Sequence, residues 1–205
     1  MEKLEKYRSI RSENKTPEPF TSKDFDPKRL AFVVQKHSAT TLHYDFRLEV
    51  DKVMPSWAIP KGPSLDNSVK RLAMKTEDHP LDYRHFEGVI PGGEYGAGPV
   101  MIWDQGWYLP EIEVDKGIRK EIIDKKEGEK VMLEGIEKGE VKFFLYGSKL
   151  KGSFALVKTK GFGGRKNSWL LIKHKDPFVV ADYDAANSNF SAVSNKSIEE
   201  IKANK

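Results

Sequence analysis

The sequence contains no cysteine, which excludes disulfides and thiolate-ligated zinc. No run approaches the roughly 18 consecutive apolar residues of a membrane span, so no transmembrane helix is expected. The first twenty residues, MEKLEKYRSIRSENKTPEPF, are charged throughout and lack the apolar stretch of a signal peptide. These absences lead to the expectation of a soluble, cytoplasmic protein. Internal repeats and low-complexity tracts are also missing. What is present is a chain of 205 residues, 38% hydrophobic and 11% aromatic, which is enough for a genuine core. Charged residues make up 32%, with a net charge of +4. That mild excess suits a polyanionic partner without requiring one.

The pattern along the chain predicts a mainly β fold: a compact antiparallel β-barrel with a few flanking short helices. Residues 1–28 are polar and punctuated by Pro17, Pro19 and Pro27, and read as a short N-terminal helix followed by an extended arm. The barrel domain is expected over 29–180. Its strand candidates begin at Leu30 and at LHYDFRLE (42–49), then continue at 56–59, 70–75, 86–90, 100–107, 140–145, 153–158 and 169–174. Gly, Pro, Asn and Asp occupy the gaps, as expected for many short strands joined by turns. The stretch 116–138, rich in Lys and Glu and interrupted by Gly128 and Gly135, reads as a surface helix or an elaborated loop. A polar tail with a short helix is expected over 181–205, where Ser197-Ile-Glu-Glu200 has the form of a capping box.

Strand alternation places Leu42, Tyr44, Phe46 and Leu48 on one face and His43, Asp45, Arg47 and Glu49 on the other. His43 and Asp45 point the same way with Cα atoms roughly 6.5–7 Å apart, close enough to share one metal ion. His37 lies six residues earlier across a turn-like Ser-Ala-Thr-Thr and can fold back to the same face. Two imidazoles and a carboxylate leave open positions on an octahedral ion such as Mn²⁺. A plain solvated strand face is the competing explanation, since polar-out alternation is what most antiparallel strands show. Arg47 is either a surface ion pair or a guanidinium fork for phosphate oxygens. His79, in the loop-like EDHPLDY (77–83), either caps a turn or stabilises charge and protonates a leaving oxygen. His85 and His174 read as structural residues. The glycine-dense PGGEYGAG (91–98) matches no phosphate-loop pattern and is expected to form a tight turn. GFGGRK (161–166) reads as a basic hairpin connection.

The blocks FVVQKH (32–37), LHYDFRLE (42–49), SWAIPKGPS (56–64), EDHPLDY (77–83), FEGVIP (86–91) with EYGAG (94–98), and WLLIKHKD (169–176) resemble, in order, the 3′-phosphoesterase domain of bacterial DNA ligase D and its stand-alone relatives. That resemblance implies a β-barrel with a crescent-shaped groove. It also implies a manganese-dependent activity that removes a 3′-terminal ribonucleoside and then the 3′-phosphate, leaving a 3′-hydroxyl. Other divalent transition metals are compatible with the same ligands. By motif position His37, His43 and Asp45 match the metal ligands. Arg47, His79 and Tyr83 match groups that engage the scissile phosphate. Lys61 and Arg71 match basic residues of the groove, and Gln35 and Glu77 match supporting positions. The implied partners are nucleic acid 3′ ends, with DNA ligase, polymerase and end-binding repair proteins as separate chains; a monomer is the default. No Lys-x-Asp-Gly motif occurs, so a covalent nucleotide adduct is not expected. The chain departs from the family pattern in the length of 116–138 and in Asp51-Lys52, where an acidic residue and glycine are expected. Two other readings are a non-haem iron oxygenase, with His43, Asp45 and His79 as its triad, and a non-catalytic nucleic-acid-binding module.

Overall fold

The computed structural model describes residues 3–23, 26–161 and 166–203. Among the described residues, twelve strands follow one another. They are β1 Leu30–Ser38, β2 Leu42–Leu48, β3 Val53–Met54, β4 Ser56–Ile59, β5 Lys70–Lys75 and β6 His79–Pro80, then β7 Gly88–Ile90, β8 Gly98–Asp115, β9 Ile118–Glu121, β10 Glu140–Gly147, β11 Lys151–Lys158 and β12 Ser168–Lys173. Three helices accompany them: α1 Glu5–Ser9, α2 Lys125–Lys138 and α3 Ile198–Ala203. Eight strands close a ring in the order β1-β2-β4-β5-β12-β11-β10-β8, and β8 pairs back onto β1. Every neighbouring pair in the ring is antiparallel. The fold is thus the antiparallel barrel with short flanking helices that the alternation predicts. Closure removes the sheet edges that an open sheet would expose.

The barrel interior is filled by the inward-facing half of each strand. Phe32 and Val34 of β1 meet Phe46 and Tyr44 of β2, and Trp57, Trp103, Phe143, Phe154 and Trp169 complete the core. Phe46, Trp57 and Trp103 are fully buried. At about 25 cal/mol per Å² of apolar area, these rings carry much of the folding free energy. Functional groups therefore cannot come from the barrel axis, which is packed with hydrocarbon.

Several elements differ from the sequence expectation. Strand β8 runs to Asp115 rather than ending near residue 107, because its far half pairs with β10 and β9. The two-stranded β3–β6 sheet carries no alternation long enough to be read. The stretch 116–138 resolves into β9 and helix α2. Asp124 caps the helix, accepting from Glu127 N at 2.9 Å, and Gly139 ends it in the left-handed region. Gly135 does not interrupt this helix; it lets it approach the barrel, since a Cβ there would lie 2.5 Å from the Glu140 carbonyl oxygen. Asp51 and Lys52 both have positive φ and form the two-residue turn before β3. The capping box at α3 is formed. Glu200 N donates to Ser197 Oγ at 3.2 Å and Ser197 N to Glu200 Oε2 at 2.7 Å, while Ile198 and Ile201 pack into the core. Residues 162–165 of the glycine-rich connection lie outside the described residues.

Candidate active site

Strand β1 is buried along eight of its nine residues, so both faces of the β1–β2 pair are covered. The outer face is the unusual one. Its register sets His37 opposite His43, Gln35 opposite Asp45 and Val33 opposite Arg47. The solvated-face explanation fails here: Asp45 is 7% exposed, Arg47 2% and Glu49 1%. Three segments provide the cover. One is the N-terminal arm, another the 3-10 turn Leu81–His85, and the third the loop 91–98. A bulge in β8 beside Gln35, where Val34 pairs with Asp104 but Gln35 with Ile102, locally changes the twist at this point of the wall.

His37, His43 and Asp45 offer ligand atoms that all lie within 4.8 Å of one another. His37 Nδ1 faces Asp45 Oδ2 at 3.6 Å, and His43 Nε2 faces Asp45 Oδ1 at 3.5 Å. The other ring nitrogen of each histidine donates to a backbone carbonyl: His37 Nε2 to Gly96 O and His43 Nδ1 to Thr41 O, each at 2.8 Å. Those bonds select the tautomers whose free lone pairs point toward the carboxylate. This is how imidazoles are oriented for a metal, so the residues present fit a divalent ion. Burial pushes the Asp45 carboxyl upward, but Arg47 and the two facing histidines outweigh it and hold the group well below the usual carboxylate range. Burial disfavours charge on His43 too, yet the facing Asp45 raises its pKa. A cluster that attracts a proton in this way also attracts a cation, and the two compete.

Arg47 joins this cluster to the rest of the site. Its Nε donates to Gln35 Oε1 at 2.7 Å, Nη1 to Ser56 Oγ at 2.9 Å and Nη2 to Asp45 Oδ2 at 3.0 Å; Nη1 also lies 2.9 Å from His79 Nδ1, which is itself 3.0 Å from Glu77 O. Three of the five guanidinium N–H groups therefore donate to protein acceptors, and a fourth faces His79. Gln35 is fixed in turn by donating Nε2–H to Tyr83 O and Phe86 O. His79 is buried between two arginines, with Arg11 Nη2 3.3 Å from its Nε2. Burial, then Arg47 and Arg11, hold it well below the ordinary histidine pKa, so it is neutral at pH 7. The Tyr83 ring lies 4.7 Å from His79, and its hydroxyl donates to Glu18 Oε1 at 3.0 Å. Burial, reinforced by Glu18, pushes that phenol well above its usual range. Glu77 meets Arg11 Nη1 at 3.1 Å.

Eight of the ten residues singled out from the sequence thus converge on one wall. Lys61 and Arg71 do not. They line a separate pocket at the end of the barrel, with Tyr44 and Tyr183, on the inward side of β2. The iron-oxygenase triad of His43, Asp45 and His79 is not assembled, because His37 is the third donor and both His79 nitrogens are met by arginines. His85 closes the 3-10 turn, and His174 follows β12.

Sequence reasoning found the arm but missed its part in the site. Arg11 donates from Nε to Glu18 Oε1 at 2.9 Å, and its guanidinium lies 4.0 Å from the Tyr7 ring. Tyr7 is buried against Phe20 and Tyr83. The density of charge and aromatics in an otherwise proline-broken segment was the one available signal. Of these groups Arg11 and Tyr83 border a cavity of about 260 Å³ that His37, His43 and Asp45 also line.

A closed antiparallel barrel whose outer wall carries a buried His-His-Asp centre, backed by an arginine and a neutral histidine, defines the class of site. A family model described as the DNA Ligase D 3′-phosphoesterase domain matches residues 35–158, and the chain belongs to that family. It is 45% identical over 178 residues to the multifunctional non-homologous end joining protein LigD of Pseudomonas aeruginosa, covering 84% of this chain and 19% of that protein. The Mycobacterium tuberculosis LigD, a DNA repair protein by its name, is 44% identical over 186 residues, 89% of this chain and 21% of the relative. The LigD of Mycolicibacterium smegmatis is 41% identical over 182 residues, 85% and 21% of the two chains. The chain therefore spans about a fifth of the length of these curated relatives. Among the described residues, no helix is long and apolar enough to cross a membrane.

Proposed function

We propose that this chain is a metal-dependent 3′-phosphoesterase that heals nucleic acid ends, removing a 3′-terminal ribonucleoside and then the 3′-phosphate to leave a 3′-hydroxyl. The observation that carries this reading is the convergence of His37, His43, Asp45 and Arg47 on one small cavity. His37, His43 and Asp45 would hold a divalent transition metal, manganese by preference, which would supply Lewis-acid charge to a phosphate oxygen.

The chain's own residues do the remainder. Asp45 stays ionised across the working pH range because Arg47 holds its pKa down. Arg47, fixed by Gln35 and Ser56, presents its remaining Nη2 hydrogen to a phosphate oxygen. Pre-orientation of this kind lowers the cost of reorganisation in the transition state. Neutral His79 takes part as a hydrogen-bonding group rather than as a cation. Tyr83 and Glu77 hold the arm in place, so that Arg11 adds positive charge beside the phosphate.

The partners in this reading are 3′ ends of nucleic acid, together with a polymerase, end-binding proteins and a ligase that seals the healed hydroxyl, in the same polypeptide or another. The protein acts as a monomer in the cytoplasm. Lys61 and Arg71 serve the same reaction from the barrel-end pocket by contacting the substrate backbone.

The test is a primer-template ending in one ribonucleotide, incubated with purified protein and Mn²⁺, with 3′ products resolved by gel and mass. Shortening to a 3′-phosphate and then a 3′-hydroxyl is expected, lost with chelator or in His43→Ala. A primer left intact at ample enzyme and metal would overturn the reading. Salt-sensitive binding without hydrolysis would then point to a nucleic-acid-binding module.

A further inference from the structure

The loop 91–98 does more than cover the site. Its Gly96 carbonyl fixes the His37 tautomer. Gly98, at φ 140°, lies so close to the β1–β2 turn that a Cβ would sit 2.2 Å from Ser38 O. Immediately before these anchors the loop presents Tyr95 at the rim of the metal-ligand cavity. Tyr7 and Tyr83, which flank the same site, are 1% and 2% exposed, and their hydroxyls donate to Pro19 O and Glu18 Oε1. Tyr95 is 53% exposed, and its hydroxyl makes no hydrogen bond among the described residues. The Arg11 guanidinium lies 4.0 Å from the buried Tyr7 ring and 5.2 Å from the Tyr95 ring. A cation-aromatic series therefore leads out of the core and ends in an open aromatic ring.

The cavity beside it, about 260 Å³, is below the ~300–1,000 Å³ of pockets that enclose a whole ligand. It has room for a phosphate and part of a sugar, which leaves the attached base outside, at the rim. An exposed ring at that rim, next to a loop segment anchored at Gly96 and Gly98, is a stacking platform. We propose that Tyr95 is a positioning residue that stacks on a nucleobase flanking the scissile phosphate. The inference rests on the phosphoesterase reading and names the part of the substrate that the metal-ligand cavity cannot recognise. Because every base has a π-face, Tyr95 contributes affinity without sequence preference.

Steady-state kinetics of Tyr95→Ala, Tyr95→Phe and the wild type on ribonucleotide-ended primers test it. Tyr95→Ala is expected to raise KM about 10-fold with kcat within about 2-fold, and Tyr95→Phe to restore the wild-type KM. On primers lacking either the terminal or the penultimate base, the penalty of Tyr95→Ala should vanish for one of them, which identifies the stacked base. An unchanged KM, a penalty that persists on both abasic primers, or a fall in kcat alone would overturn the proposal; the last would assign the loop to holding His37. Equilibrium binding in chelator separates this from failure of the phosphoesterase reading itself. A primer with 2-aminopurine at each of the two positions in turn should be quenched by the wild type and not by Tyr95→Ala at one of them. Absence of quenching at both would overturn the stacking role whether or not the primer is cleaved.

Discussion

Along β1 and β2, neighbouring residues enter two buried environments that share only the backbone. Phe32, Val34 and Phe46 face inward into a hydrocarbon core. Gln35, Asp45 and Arg47 face outward and are equally hidden from water, yet each is hydrogen-bonded to another polar group. The inner face is buried by the barrel closing on itself. The outer face is buried by pieces from elsewhere in the chain, namely the arm, the 3-10 turn and the glycine loop. The difference shows how a small barrel with a solid interior obtains a low-dielectric site: it builds the site on its wall and lays a cover over it. Polar groups in such a place are tolerated only when satisfied, which accounts for the length of the hydrogen-bond chain from Gln35 through Arg47 to His79.

The sharpest way to break this contrast is one substitution on each face at adjacent positions. Asp45→Ala is expected to lower the 3′-end activity by at least about 10³-fold, roughly 4 kcal/mol in the barrier, while circular dichroism shows a folded barrel. Phe46→Ala is expected to do the reverse. It should cost about 3–5 kcal/mol of stability in urea unfolding, with activity per folded molecule changed only a few-fold. If Phe46→Ala kills activity while stability holds, the two faces are not separate in function.

The cover can be tested by itself. Arg11→Ala removes ion pairs to Glu18 and Glu77 and one of the two arginines beside His79. A loss of about 1.5–3 kcal/mol, the scale of hydrogen bonds to charged groups, is expected in transition-state stabilisation, or roughly 10- to 100-fold in kcat/KM. Faster proteolysis of the arm should accompany it. Unchanged kinetics would mean that the arm is packing and no more.

A smaller effect comes from another part of the outer wall. Ser153 Oγ lies 2.8 Å from His174 Nδ1. Burial, then Arg119, Lys142 and Lys173, push His174 from 6.5 to about 4. Between pH 6.5 and about 4 the unfolded chain therefore binds a proton that the folded chain refuses. Stability contributed by the neutral imidazole is present above that window and declines as pH falls through it. His174→Gln is expected to flatten the decline, as read from urea midpoints across the range. An identical slope would show that His174 is not the group responsible.

The barrel itself was largely readable, because period-2 alternation needs only local sequence; LHYDFRLE declares its two faces without any partner. The His43–Asp45 pair was readable for the same reason. The β3–β6 pairing and the extension of β8 were not, since neither a two-residue strand nor a strand end set by pairing has a period to detect. In the site, Gly96 O and Thr41 O orient the two histidines, and a backbone carbonyl has no signature in a sequence. Arg11 and Glu18 were hidden by distance: Arg11 meets Glu77 and His79 only after the arm crosses more than sixty residues of intervening chain.

The sequence by itself determined which side chains share a strand face, which residue types stand ready for a metal and a phosphate, and which family the chain joins. Those are local properties of alternation and of side-chain chemistry. The tertiary structure alone decided that the charged face is buried, that Arg47 is largely committed to Gln35, Ser56, His79 and Asp45, that Lys61 and Arg71 stand apart, and that Tyr95 is left open to solvent. Burial and hydrogen-bond partnership depend on which distant segment covers which wall, and that follows from closing the whole chain rather than from any stretch of it.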